Sequence, residues 1–121
     1  MSCAQAVGAS FRGRPLGSLG DIATYSLQQN KTITSGEGGA VVTSDPVLFE
    51  RASRFHDLGE MRPMHASEVG AKKLDWFIGT NFRMNEFTGG VLLAQTRKLA
   101  SIVEAVRANA RRVYDGIADL P

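Results

Sequence analysis

The sequence has few of the groups that hold a chain together through covalent links or metals. Its single cysteine, Cys3, cannot form an internal disulfide, and two histidines, His56 and His65, give no ligand cluster of zinc-site spacing. Long apolar runs are also missing. No stretch approaches the roughly 20 residues that cross a bilayer, and the opening Met1 to Gln5 lacks a charged segment followed by an apolar one. The expectation is a soluble, cytoplasmic protein. Aromatic residues make up only 7% of the chain, and none interleaves with the basic residues near its end, Arg97, Lys98, Arg107, Arg111 and Arg112. Without stacking platforms these cations make a weak case for nucleic acid. Arg107 and Arg111, one helical turn apart, read as a solvated face. The formal charge is only +2, fourteen basic residues against twelve acidic.

What is present suits one domain's worth of α/β structure. The 121 residues are 43% hydrophobic and 21% charged, enough apolar material for a core. Residues 3–10 suggest a short helix, and residues 12–21, with spaced glycine and proline, a tight loop. Ile22 to Ser26 is a strand candidate, and so is Gly39 to Ser44, where Val41 and Val42 suggest burial. Asp45-Pro46 opens a helix with an N-cap side chain and a proline at the first helical position. Leu48, Phe49, Ala52 and Phe55 give that helix an inward face, and Gly59 stops it. Residues 60–78 show no sustained period and read as a surface excursion. Asn85 caps a helix running through Lys98, in which Gly89-Gly90 implies close backbone packing, since each costs about 1 kcal/mol of helix propensity. A second helical pattern runs from Ser101 to Pro121. Two strands with helices make an incomplete sheet, so the chain reads as the middle of something larger.

Between the two strands lie twelve residues, Leu27 to Gly38, long for a hairpin and typical of functional loops. Lys31 sits in this connection. A primary amine on a flexible stem forms a Schiff base with a carbonyl when part of it stays unprotonated, and the Ser26 hydroxyl nearby can hold an anion. The alternative is an ordinary solvated lysine. Asn30-Lys31-Thr32 also matches a glycosylation sequon, which without a secretory signal is read as accidental.

Gly20-Asp-Ile-Ala-Thr-Tyr-Ser26, Lys31, Thr34-Ser-Gly-Glu-Gly-Gly-Ala-Val-Val-Thr43 and Gly79-Thr-Asn-Phe-Arg-Met-Asn-Glu86, in that order, resemble the DegT family of sugar aminotransferases. The resemblance runs from about Ala4 to the end. It implies a pyridoxal-phosphate enzyme of the aspartate-aminotransferase fold (fold type I), of which this chain is a central fragment: residues 1–100 the C-terminal part of the cofactor-binding large domain, residues 101–121 a helix leading into the small domain. It further implies that Lys31 is the Schiff-base lysine and proton carrier, that Ser26 bonds the cofactor phosphate, and that Gln5 lies near the phenolic oxygen. Asn81 would reach the phosphate of the neighbouring subunit, making a homodimer part of the site. The implied reaction moves an amino group from glutamate or glutamine to a keto-sugar, nucleotide-linked or cyclitol, in cell-surface polysaccharide or secondary-metabolite biosynthesis. The pair Gln28-Gln29 leans towards the cyclitol branch. A sugar dehydratase of the same fold would carry histidine in place of Lys31.

One position departs from the pattern. Where the family has Glu-Asp-Ala-Ala-Gln, this chain has Met1-Ser-Cys-Ala-Gln5, and Ser2 cannot supply the carboxylate that keeps the pyridine nitrogen charged. A catalytically incompetent fragment acting as a folding or interaction module is therefore the alternative reading. Glu37 is read as shaping the glycine turn, His56 and His65 as surface residues, and Trp76 and Phe77 as packing at a core, dimer or substrate surface.

Overall fold

The computed structural model describes residues 1–64, 66 and 77–120. Most of the expected excursion, including His65 and Trp76, lies outside the described residues. The first element is a small hairpin, β1 (Ser10–Phe11) with β2 (Arg14–Pro15). Its two turn residues, Arg12 and Gly13, have φ of 49° and 78°, the left-handed pair whose twist matches that of paired strands. A 3-10 turn at Leu16–Ser18 then leads to β3 (Ile22–Ser26), which pairs antiparallel with β4 (Gly39–Thr43) from Ile22↔Thr43 to Ser26↔Gly39.

The other edge of β3 is also occupied. Cys3 N–H donates to Thr24 O at 2.8 Å and Thr24 N–H to Met1 O at 3.1 Å, so residues 1–3 run parallel to β3. This pairing explains why residues 3–10 are not the expected helix. Their backbone is drawn into two successive turns, Ala6 N–H to Cys3 O and Ala9 N–H to Ala6 O, and Gly8 takes φ +81°. Tertiary strand pairing overrides the helix preference of the alanines.

Three α-helices follow: α1 (Pro46–His56), α2 (Glu86–Thr96) and α3 (Leu99–Ile117). The predicted caps form. Asp45 Oδ1 accepts from Val47 N–H at 2.7 Å and Leu48 N–H at 3.0 Å, and Asn85 Oδ1 from Thr88 N–H at 2.9 Å. The molecule is α/β, as expected.

Burial departs from expectation in three places. Val41 and Val42 are exposed, because β4 has a partner among the described residues only on its β3 side. The Gly89-Gly90 pair has open space where a Cβ would stand, so no close packing compensates it here. On α1 the inward face is half-buried except for Phe55, which is exposed, and the residue that is fully enclosed is Glu50, paired with Arg54 at 2.8 Å. The buried apolar residues are Cys3, Ala23, Leu27 and Ile33, around β3 and the loop after it. The accessible surface is 9036 Å², against about 6,300 Å² expected for a folded monomer of 13.0 kDa. Much apolar surface is open.

Candidate active site

The connection from Leu27 to Gly38 folds back on itself. Leu27 donates its N–H to Gly38 O at 2.9 Å, and its carbonyl accepts from Ser35 N–H at 2.9 Å and Thr34 Oγ1 at 3.1 Å. The Ser35 hydroxyl donates to Glu37 O at 2.9 Å, which gives Glu37 the turn-shaping part expected of it, through its backbone. Ile33 and Ser35 are buried beneath the loop. Lys31 stands at the end of a turn closed by its own N–H to Gln28 O at 3.0 Å. Its side chain is half-buried, and Nζ donates to Gln5 Oε1 at 3.0 Å.

Strand direction brings these two residues together from 26 positions apart. Residues 1–3 and β3 are parallel, so Gln5 and Lys31 both follow carboxyl ends on the same edge of the sheet, where α/β proteins place ligands. Ser26 is the last residue of β3. Its Oγ accepts a long hydrogen bond, 3.5 Å, from Gln28 N–H, and among the described residues its hydroxyl proton has no acceptor. Gln5 and Thr32 also line a cleft of about 250 Å³ against Val103 and Arg107 of α3. Amine, amide and hydroxyl at one edge fit a ligand carrying an aldehyde and an anion.

Asn81 is held elsewhere in the chain. It pairs by backbone with Asp57, and its neighbours cap α1: Thr80 N–H donates to Phe55 O at 2.8 Å and Phe82 N–H to His56 O at 3.0 Å. His56 Nδ1 is satisfied by Ser53 O at 2.7 Å, a structural contact. Phe77 is half-buried, with the Arg51 guanidinium 5.7 Å from its ring centre.

Sequence reasoning missed Asp57. Only 5% exposed, it accepts from Arg62 Nε at 2.5 Å and from Arg83 Nη1. The Arg62 hydrogen bond does most to hold its carboxyl below the ordinary value of 3.8. Burial opposes it and Arg83 adds to the lowering. A lone aspartate after a helix gives no sign in sequence of two arginines converging on it.

The model of the DegT/DnrJ/EryC1/StrS aminotransferase family matches residues 2–121. The chain belongs to this family. The cofactor of these aminotransferases is pyridoxal 5'-phosphate. The L-glutamine:2-deoxy-scyllo-inosose aminotransferase of Micromonospora echinospora is 38% identical over 98% of the chain and 29% of its own length. GDP-perosamine synthase of Vibrio cholerae is 33% identical over 98% of the chain and 30% of its own. Among solved structures, S. venezuelae DesV, crystallised in complex with a ketimine intermediate, superposes with a TM-score of 0.81 at 35% identity, over 98% of this chain and 30% of that one. The chain thus spans about 30% of the length of its relatives.

Proposed function

We propose that this DegT-family chain is part of a transaminase that passes an amino group from glutamate or glutamine to a keto-sugar or cyclitol, with Lys31 as the lysine that holds pyridoxal 5'-phosphate. The observation that carries the reading is the Lys31 Nζ to Gln5 Oε1 hydrogen bond of 3.0 Å at the carboxyl ends of two parallel strands, one of them ending at Ser26. The cofactor, when bound, supplies an aldehyde and an electron-withdrawing ring. Lys31 would hold the cofactor through its Nζ and, when released, that amine would serve as the general base and acid of the 1,3-proton shift in each half-reaction. Gln5 keeps the amine aimed along the sheet edge and offers its own N–H groups to the phenolic oxygen. Ser26 donates its hydroxyl to the phosphate.

Asn81 completes the site from a second copy. Its backbone pairs with Asp57 beyond α1, and among the described residues it has no hydrogen bond to the Lys31 loop, which agrees with service to a neighbouring subunit. Residues 1–100 then belong to the large domain, and residues 101–121, which include most of α3 (Leu99–Ile117), lead towards the small one. Ser2 brings a neutral hydroxyl where the family has a carboxylate, so this chain holds the ring nitrogen with less charge.

Borohydride reduction of the protein mixed with pyridoxal 5'-phosphate, followed by peptide mapping, tests the assignment. The pyridoxyl label is expected on the peptide containing Lys31 and absent from Lys31→Ala. A label on another lysine overturns it. The second reading, a non-catalytic folding or interaction module, is favoured by the large open surface, and it predicts no cofactor absorbance change on mixing.

A further inference from the structure

We infer that Asp57 is a positioning residue for Asn81, acting through Arg83. The inference rests on the phosphate role proposed for Asn81. The Asn81 side chain accepts from the backbone N–H of Arg83 at 3.1 Å. A backbone N–H can only donate, so the atom it meets is the amide oxygen, and the Asn81 NH2 group is left facing outward. An asparagine fixed this way round offers donors and suits an anion.

Beside the backbone bonds of Thr80 and Phe82, the N–H of Arg83 is held by its own side chain. Arg83 Nη1 bonds Asp57 Oδ1, 26 residues back in sequence, while the backbone of Asp57 pairs with Asn81 itself. The residues from 80 to 83 are therefore tied to the end of α1 by the Thr80 and Phe82 backbone bonds and, one residue further, by an ion pair on a carboxylate that is itself almost fully enclosed. Two guanidiniums share that carboxylate, but only Arg83 adjoins Asn81. Arg62 occupies the other oxygen, Oδ2, and is half exposed. Removing the Arg83 side-chain anchor leaves its N–H in the chain but frees the turn that aims Asn81. Removing Arg62 does not.

The test compares affinity for pyridoxal 5'-phosphate with affinity for pyridoxal, which lacks the phosphate, by absorbance titration of the whole protein. Asn81→Ala is expected to weaken binding of the phosphorylated form about tenfold, the loss of one hydrogen bond to a charged group, and to leave pyridoxal unchanged. Arg83→Gln and Asp57→Asn are expected to lower the same ratio by a comparable factor. Combining either with Asn81→Ala should add nothing further, because all three changes remove one interaction. Arg62→Gln, which disturbs the same carboxylate, should leave the ratio as it is. A ratio altered by Asn81→Ala alone overturns this inference and leaves the phosphate reading standing. A ratio unmoved by Asn81→Ala overturns both. Equal weakening of both ligands by Arg83→Gln and Asp57→Asn, or a matching change in Arg62→Gln, reduces Asp57 to a general stabiliser and overturns the inference as well.

Discussion

Gly17 and Tyr25 show how narrow the tolerances are at single residues. The Gly17 N–H donates to the Tyr25 hydroxyl at 3.0 Å, and a Cβ on Gly17 would collide with that oxygen and the ring behind it. Gly17→Ala is expected to cost about 1–3 kcal/mol by overpacking, measured as a lowered urea midpoint with unchanged slope. Tyr25 precedes Ser26, so the same substitution should also disturb the end of β3. Asp57 gives a second residue-scale expectation. Its carboxyl is held below 3.8 in the folded chain, so the unfolded chain binds the proton more readily. The stability this contributes is fully present above the ordinary carboxylate range and is lost as pH falls through the lowered folded value. The advantage of the native chain over Asp57→Asn should therefore be constant from neutral pH down to about pH 5 and shrink in more acid solution. Denaturation midpoints across that range measure it, and a gap that held at pH 3 would refute it.

At the scale of elements, local signals in the sequence proved reliable where local physics decides. Asp45-Pro46 announces α1, and the structure supplies both hydrogen bonds to the Asp45 carboxylate; Asp45→Ala should lower stability by about 1 kcal/mol in chemical denaturation. Asn85 announced α2 in the same way, and β3 and β4 fall where their β-branched residues place them. The signals failed where partners distant in sequence decide. Residues 3–10 have helical composition, but residues 1–3 are recruited as a strand beside Thr24, and no local pattern records that. Val41-Val42 reads as buried because a sheet strand normally has two neighbours and two covered faces. Lys31, Gln5 and Ser26 were each legible as residues, whereas the Gln5 to Lys31 contact needed the parallel pairing, and the Asp57 to Arg83 pair had no signal at all.

At the scale of the molecule, the accessible area of 9036 Å² exceeds the monomer expectation by roughly 2,700 Å², more than a standard protein interface buries in total. Phe87 and Ile78 are each about nine-tenths exposed, and Val106, Val113 and Tyr114 leave an apolar stripe along α3. Exposed apolar surface of this extent is uncommon on a monomer. In dilute solution the 121-residue chain is expected to associate with itself and to bind a hydrophobic dye. Sedimentation over a tenfold concentration range checks this, and a monomer at every concentration that leaves the dye dark would refute it.

The parallel pairing of residues 1–3 with β3 has a consequence in time. Pyridoxal 5'-phosphate reacts with exposed amines in general, and an unfolded chain offers it Lys31 no differently from Lys72, Lys73 or Lys98. A slip of one residue in that pairing would turn Gln5 to the opposite face of the sheet and leave the amine without its acceptor. On the role proposed for Lys31, selectivity for one lysine among four is acquired only when the register locks, and the expected order of events is fold first, load second.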